Sequence, residues 1–346
     1  MAIYQVDPLC DSRWPQFLQQ DPRASVFHTP AWLEALRRTH GYRPVVLTTF
    51  APDQELRNGM VFCRVDSFLT GRRLVSVPFA DHCEPLVDGP TDFAAILVSL
   101  QQDFHERRYK YIEIRPRSVG WAPRTVFAPS AAFWFHTLDL RPEAEQLLRS
   151  FNKNSVQRKI RRADREGLAY EEGRSEALLE EFYRLFLLTR RRHQLPPQPR
   201  DWFRNLMACL GASFKIRVAS KDGQAIASII TLRYKHTLVY KYGCSDPRFH
   251  NLGGTALLFW KAIQDAKQAG LQEFDLGRSD ADNPGLVTFK DHWGTRRSTL
   301  TYLRYPAQAP PTNSEKYGMR VARRVFSRAP DRILRLVGEL LYKHIG

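Results

Sequence analysis

Four stretches of the chain concentrate residues able to do chemistry. The first is Phe274–Gly294, FDLGRSDADNPGLVTFKDHWG. A short strand runs there into a polar loop holding Asp275, Arg278, Ser279, Asp280 and Asp282, followed by Phe289, Lys290 and Trp293. Loops at strand ends commonly carry catalytic groups, although a few surface ion pairs would give the same composition. The second is Tyr240–Thr255, a strand, a loop, the pair Gly253-Gly254 and then Thr255 opening a helix. The free N–H groups and dipole of a helix N-terminus suit a phosphate or carboxylate. The two glycines allow close backbone approach, and an ordinary strand-to-helix connection is the alternative. The third is Phe151–Gly167, where a helix would put Arg158, Arg162 and Arg165 on one face. Such a face grips phosphates or nucleic acid, or is simply solvated. The fourth is Val77–Gly89, with Asp81, His82, Glu84 and Asp88 crowded behind a strand. These offer a general base or hydrogen bonds to a polar acceptor. No second cluster accompanies them, so no metal is expected.

Common catalytic signatures are absent from the sequence. There is no G-x-x-x-x-G-K-[ST] phosphate loop, no G-x-G-x-x-G after a strand, no G-x-S-x-G elbow and no H-E-x-x-H. The five cysteines, Cys10, Cys63, Cys83, Cys209 and Cys244, are scattered without a C-x-x-C. They read as idle thiols rather than a disulfide framework or zinc ribbon.

The 346 residues carry a formal net charge of +16, with 43% hydrophobic and 12% aromatic residues. That composition supports a packed core and excludes a disordered chain. The charge points to an anionic partner: nucleic acid, a phosphate-bearing substrate, an anionic lipid or an acidic polymer. No run approaches the roughly 18–20 apolar residues of a membrane span. Asp7, Pro8 and Asp11 stand where a signal peptide needs its apolar stretch, which makes the cytoplasm the expected compartment.

The elements that must position these residues follow a pattern. Pro30–His40 reads as a helix capped by Thr29, with proline at its first position. Strands at Pro44–Phe50, Met60–Val65 and Leu74–Pro78, a helix at Thr91–Arg107 and a strand at Tyr111–Arg115 follow. A similar order returns with helices at Glu176–Arg192 and Asp201–Leu210. Strands at Phe214–Ser220 and Gln224–Tyr234 are joined by the Lys221-Asp222-Gly223 turn. Then come a strand at His236–Gly243, a helix at Gly254–Ala269, and strands at Gln272–Leu276 and Ser298–Tyr305. The reading is α/β of the α+β kind, with mixed, partly antiparallel sheets in two like domains, 1–140 and 141–306. Residues 307–346 read as a Pro-rich linker, Ala307–Thr312, and two basic amphipathic helices, Ser314–Ser327 and Pro330–Ile345. Arg320, Arg323, Arg324, Arg328, Arg332 and Arg335 charge this tail, and Ile333, Val337, Leu340 and Leu341 form its apolar stripe.

In this order, the four stretches resemble the FemAB-like branch of the GNAT acyltransferases. That branch includes the aminoacyltransferases that build peptidoglycan interpeptide bridges, and relatives encoded near exopolysaccharide systems. The run Phe274–Gly294 is similar to the family's FD-x-GRS … G-x-x-x-FK-x-x-WG ending. The resemblance is clearest over residues 145–305 and extends to Phe27–Pro116 through His28–Trp32 and Pro78–Pro85. Where the family's acetyl-CoA loop reads [QR]-x-x-G-x-[GA], this chain has His250 first and Thr255 last.

The resemblance implies twin GNAT-like domains and transfer of an acyl or aminoacyl group to an amine of a cell-envelope or exopolysaccharide precursor. No cofactor would be bound, and the co-substrate would be acyl-CoA or aminoacyl-tRNA. It places Lys290 near the junction of donor and acceptor, pairing with a phosphate, a carboxylate or the oxyanion. Asp81 or His82 would bind the acceptor or take its proton, with Asp88 beside them, and Tyr242 would hydrogen-bond the reacting carbonyl. Trp32 would stack on a sugar or pack. Arg158, Arg162, Gly253, Gly254, Thr255, Arg278, Ser279 and Phe289 complete the expected binding set. Two other classes fit the charge: a tRNA- or other RNA-binding protein, and a scaffold held on an anionic membrane surface by the tail.

Overall fold

A computed structural model of the protein describes residues 1–118, 126–307 and 331–345. The chain forms two compact units. The first comprises Met1–Phe133, Thr299–Pro310 and Leu340–Gly346; the second comprises Trp134–Ser298 and Pro311–Glu339.

The first unit opens with β1 (Tyr4–Val6), α1 (Arg13–Gln20), α2 (Pro30–His40), β2 (Arg43–Thr48) and β3 (Met60–Val65). It continues with β4 (Arg73–Val75), α3 (Pro90–Glu106) and β5 (Tyr111–Ile114). Helix α2 starts as its sequence predicts: Thr29 accepts a hydrogen bond from the Trp32 amide, and Pro30 occupies the first turn. A cap of this kind is worth about 1 kcal/mol. Strands β1 to β4 pair antiparallel in sequence order, and β5 lies parallel to β4. Helix α3 makes the crossover that a parallel pair requires. Its Phe93, Ile96, Leu97 and Leu100 close the core over Phe62, Leu74 and Ile112.

The second unit begins with β6 (Ala128–Asp139), of which Trp134–Asp139 belong to it. Then come α4 (Ala144–Ser150), a π-helical turn (Lys153–Gln157), α5 (Arg158–Arg165), β7 (Ala169–Gly173), α6 (Glu176–Arg192) and α7 (Arg200–Leu210). Next are β8 (Phe214–Lys221), β9 (Gln224–Tyr234), β10 (Thr237–Ser245), α8 (Gly254–Gln268), β11 (Glu273–Ser279) and α9 (Pro284–Asp291). The hairpin β8–β9 turns on Asp222 and Gly223 at φ +48° and +76°, the left-handed pair of a type I′ turn. β7 to β10 pair antiparallel in order, β11 lies parallel to β10 after the α8 crossover, and β6 adds antiparallel to β11.

The last strand, β12 (Arg296–Tyr305), pairs antiparallel with β5 through Leu303–Tyr305. Both units therefore share one pairing pattern: three antiparallel steps, one parallel step spanned by a helix, and an antiparallel edge. The expected α/β class with mixed, partly antiparallel sheets and a repeated pattern holds.

Several expectations are corrected. The strand expected at Leu74–Pro78 stops at Val75, because Val77 takes φ +50° and leaves the extended region. Residues 128–136, assigned to no element, form most of β6, and the segment before α2 holds β1 and α1. The expected helix over residues 330–345 is α10 (Asp331–Ile345). The linker beyond Ala307 and the expected helix at 314–327, with Arg320, Arg323, Arg324 and Arg328, lie outside the described residues.

Candidate functional site

The second unit holds a cavity of about 620 Å³, lined by the end of β10, the start of α8 and α9. The parallel ladder of β10 and β11 runs only from Thr237↔Glu273 to Val239↔Asp275. Beyond it, β10 shifts register against β9 between Tyr240 and Tyr242, and β11 shifts against β6 between Asp275 and Arg278. Each bulge bends its strand away from its former partner.

The start of α8 forms one wall. Gly253 has φ +85°, and a Cβ there would lie 2.2 Å from the Lys159 carbonyl oxygen. Only glycine lets the first turn pass under that carbonyl. Gly254 is tight but not clashing, its Cβ position lying 3.2 Å from the Ala227 Cβ. Gly253, Gly254 and Thr255 all line the cavity, with the unpaired amides of the helix end at hand. The π-helical turn also lines the cavity: the Asn152 side chain accepts from the amides of Asn154 and Ser155, presenting Ser155 and Val156, and Lys159 follows at the start of α5. The floor is aromatic. Phe289 meets Phe259 edge-on at 5.4 Å, and Trp293 stacks on Phe259 at 5.1 Å.

A polar pair also sits on this wall. The Ser245 hydroxyl lies 2.8 Å from His250 Nε2, and Arg192 Nη1 lies 3.2 Å from the same nitrogen. A guanidinium only donates, so Nε2 carries a lone pair and the serine hydroxyl donates to it. Burial, then the charges of Arg192 and Lys159, hold the His250 pKa below its ordinary 6.5. At neutral pH His250 is therefore an uncharged base facing the cavity. Neither residue was singled out for chemistry from the sequence; the short 3₁₀ turn at Pro247–Leu252 brings them together.

Lys290 is placed differently from expectation. It is buried, and its ammonium donates to the carbonyls of Gly277 at 3.0 Å and Arg278 at 2.8 Å. Those carbonyls belong to the β11 bulge, where Gly277 takes φ +72° and its amide donates to Asp275 at 2.7 Å. The lysine thus ties α9 to the bulged strand, and its neighbour Phe289 lines the cavity. Nearby, His136 is fully buried with Nε2 3.3 Å from Asp291. Burial and the charge of Lys290 push its pKa down to about 4.

The other expected residues of this unit lie off the cavity wall. The Tyr242 hydroxyl accepts from Trp202 Nε1 at 2.8 Å, with its ring against Phe203. Arg278 is half-buried, and Ser279 is buried on the strand with its hydroxyl unpartnered among the described residues. Arg158 is exposed, and Arg162 pairs with Glu166 at 3.3 Å. Lys159, between them in the same basic stretch, is the cation that reaches the cavity.

In the first unit, the Val77–Gly89 loop is tightly held. Val77 and Phe79 both take positive φ, +50° and +60°, which is strained for residues with a Cβ. Arg115 donates to the carbonyls of Val77 and Ala80, and the Tyr302 hydroxyl donates to that of Asp81 at 2.6 Å. His82 is buried edge-on to Phe27 at 5.5 Å. Asp88 is exposed and pairs with Arg23 at 2.8 Å. Trp32 is completely buried, 5.0 Å from Phe27; of its two expected roles it packs, and no face is left for a sugar.

Residues 150–290 match the model of the acetyltransferase (GNAT) domain family. A UDP-N-acetylmuramoylpentapeptide-lysine N(6)-alanyltransferase of Weissella viridescens is 28% identical over 157 residues, 44% of this chain and 43% of that protein. Over part of its length the chain is thus similar to GNAT acetyltransferase domains and to a FemX-type alanyltransferase. The matched stretch spans less than half of that alanyltransferase. Among solved structures, FemX superposes with a TM-score of 0.68 at 14% identity, covering 92% of this chain and 99% of that one. A tandem GNAT protein from the clavulanic acid biosynthesis pathway superposes at 0.55 and 11% identity, covering 90% of this chain and 100% of that one. These likenesses establish a GNAT-type fold. No group of His, Cys, Asp and Glu fit to hold a metal occurs among the described residues.

Proposed function

We propose that the protein transfers an acyl or aminoacyl group from a phosphate-bearing thioester or ester donor to an amine of a cell-envelope or exopolysaccharide precursor. The observation that carries this reading is the cavity beside the end of β10, with the N-terminus of α8 opening into it. Amides of Gly254 and Thr255 and the exposed Lys159 would hold the donor's phosphates. The aromatic floor of Phe289 and Trp293 would hold its apolar arm. The GNAT domain match and the alanyltransferase relative support an amine acceptor and leave two donor classes, acyl-CoA and aminoacyl-tRNA.

The reaction needs a proton acceptor and a fixed geometry. The amine attacks the donor carbonyl; a C–N bond forms, and the C–S or C–O bond to the carrier breaks. The proton released by the amine would pass through the Ser245 hydroxyl to His250 Nε2, and His250 would return it to the departing thiolate or alkoxide, directly or through water, leaving the ring neutral again. Lys290 would act as a positioning residue, since its donors are turned toward the β11 carbonyls. Asp88, the exposed carboxylate of the Val77–Gly89 loop, is proposed to recognise a polar acceptor, with Asp81 and the buried His82 shaping that loop. The place of work would be the cytoplasm, at the inner face of the membrane for a lipid-linked acceptor.

A donor screen tests this. Acyl-CoAs and charged tRNAs are offered separately with amine-bearing envelope precursors, and products are read by mass spectrometry. An acceptor heavier by the acyl or aminoacyl group identifies the donor class. Absence of transfer from both classes, with purified folded protein, overturns the reading.

A further inference from the structure

The first unit exposes an apolar patch that acyl transfer does not use. Ser67 and His344 lie in hydrogen-bond contact, Oγ to Nδ1 at 2.9 Å. Thr70 and Arg73 both donate to the His344 carbonyl, at 2.8 and 2.6 Å. The Ser67 hydroxyl also accepts from the amides of Leu69 and Thr70. The loop between β3 and β4 is thereby clamped to the last turn of α10. Yet Phe68 is 87% exposed and Leu69 61% exposed. Leu340 is 68% exposed, one turn before His344 and on the same helix face. Phe68 touches the His344 ring by its edge, with centroids 4.7 Å apart.

A loop fixed by this many hydrogen bonds cannot fold its apolar side chains away from water. Large apolar groups held outward on rigid backbone cost solvation and mark a contact surface. The rim of the patch is basic. The side chains of Arg43 and Arg72 are 69% and 64% exposed, and Lys110 and Lys343 are exposed beside them. One carboxylate, Asp66, pairs with both arginines. The rim keeps a positive balance, on a chain whose formal net charge is +16.

We infer that this face of the first unit seats on an anionic lipid bilayer. Phe68, Leu69 and Leu340 enter the boundary between headgroups and acyl chains, and the four cations meet anionic headgroups. Apolar anchors ringed by lysine and arginine have the composition that such an interface selects. The charge complementarity favours lipid over an apolar protein partner. No helix among the described residues is long and apolar enough to cross a membrane. The inference does not depend on the acyl-transfer reading.

Vesicle cosedimentation tests it, with the full chain and vesicles of phosphatidylcholine alone or mixed with phosphatidylglycerol. The wild-type chain should pellet with the mixed vesicles and hardly at all with the neutral ones. Phe68→Ser combined with Leu69→Ser should weaken binding about tenfold or more. The change lies on exposed side chains, and circular dichroism checks the fold. Arg72→Gln combined with Lys343→Gln should erase the preference for phosphatidylglycerol. Equal pelleting of the wild type and the serine double variant would overturn the proposal. So would a wild-type chain that is dimeric in solution and turns monomeric in that variant, because a second copy would then be the occupant.

Discussion

The hydroxyl of Ser245 lies 2.8 Å from Nε2 of His250 on the wall of the cavity beside α8. With Arg192 donating to the same nitrogen, that lone pair is fixed as an acceptor. If this pair receives the amine's proton, His250→Gln should lower kcat/KM by about 10²–10³-fold, the range of one positioned base. Ser245→Ala should cost less, since a water can bridge the gap. The pH profile carries the sign. His250 works only when neutral, and its pKa is held below 6.5, so wild-type activity should fall on the acid side of that value. His250→Gln should flatten this acid limb. Measuring kcat/KM against pH for both proteins decides it, and an unchanged limb removes His250 from the mechanism.

Gly253 gives a prediction from packing alone. A methyl group there would sit 2.2 Å from the Lys159 carbonyl oxygen, on backbone at φ +85°. Gly253→Ala must shift either the first turn of α8 or the start of α5. A cost of about 1–3 kcal/mol in stability is expected, with a larger proportional loss of donor affinity. Thermal unfolding and donor titration read the two effects. Gly270, also at positive φ but with nothing within 4 Å, is the control for backbone strain without the clash.

The motif around Lys290 points to a charge for the reacting groups, and its ammonium instead holds two carbonyls of β11. The spacing of Phe289-Lys290 gives no sign of this. The receiving bulge is set by pairing of β11 with β6, a strand some way off in sequence that the reading left unassigned. The hairpin at Lys221–Gln224, the Thr29 cap and α6 were legible because each rests on local signals. Ser245 and His250 were not, because only the turn between them makes them neighbours. In α9, eight residues are too few to show a helical period, so the expected short segment resolved into a helix only in three dimensions.

Lys290→Met follows from that placement. It removes both hydrogen bonds and leaves the Gly277 and Arg278 carbonyls short of a donor in a buried setting. Such a loss costs about 2–4 kcal/mol, read by chemical denaturation. Turnover should fall with it, because Phe289 on the cavity wall is displaced. A positioning role predicts a higher KM for the donor and a pH profile of unchanged shape. Undiminished stability and turnover in Lys290→Met would refute the tie between α9 and β11.

His28 in the first unit ties folding to pH. Its Nδ1 accepts from the Ser25 amide at 3.0 Å, so Nε2 carries the proton and donates to the Glu84 carbonyl at 2.9 Å. Acceptance at Nδ1 requires the neutral ring, whereas the Nε2–H bond to Glu84 survives protonation; burial pushes the pKa down to about 4. The unfolded chain, with histidine near 6.5, therefore binds more protons than the folded one between these values. Stability contributed by the neutral ring is complete above about pH 6.5 and is lost as pH falls toward 4. The loss is roughly 3 kcal/mol over that window. His28→Gln loses some stability at pH 7 but should lie on a shallower slope by about one proton between pH 4 and 6.5. Urea unfolding across the window measures both slopes, and parallel curves for the two proteins would show that His28 is not the group that titrates.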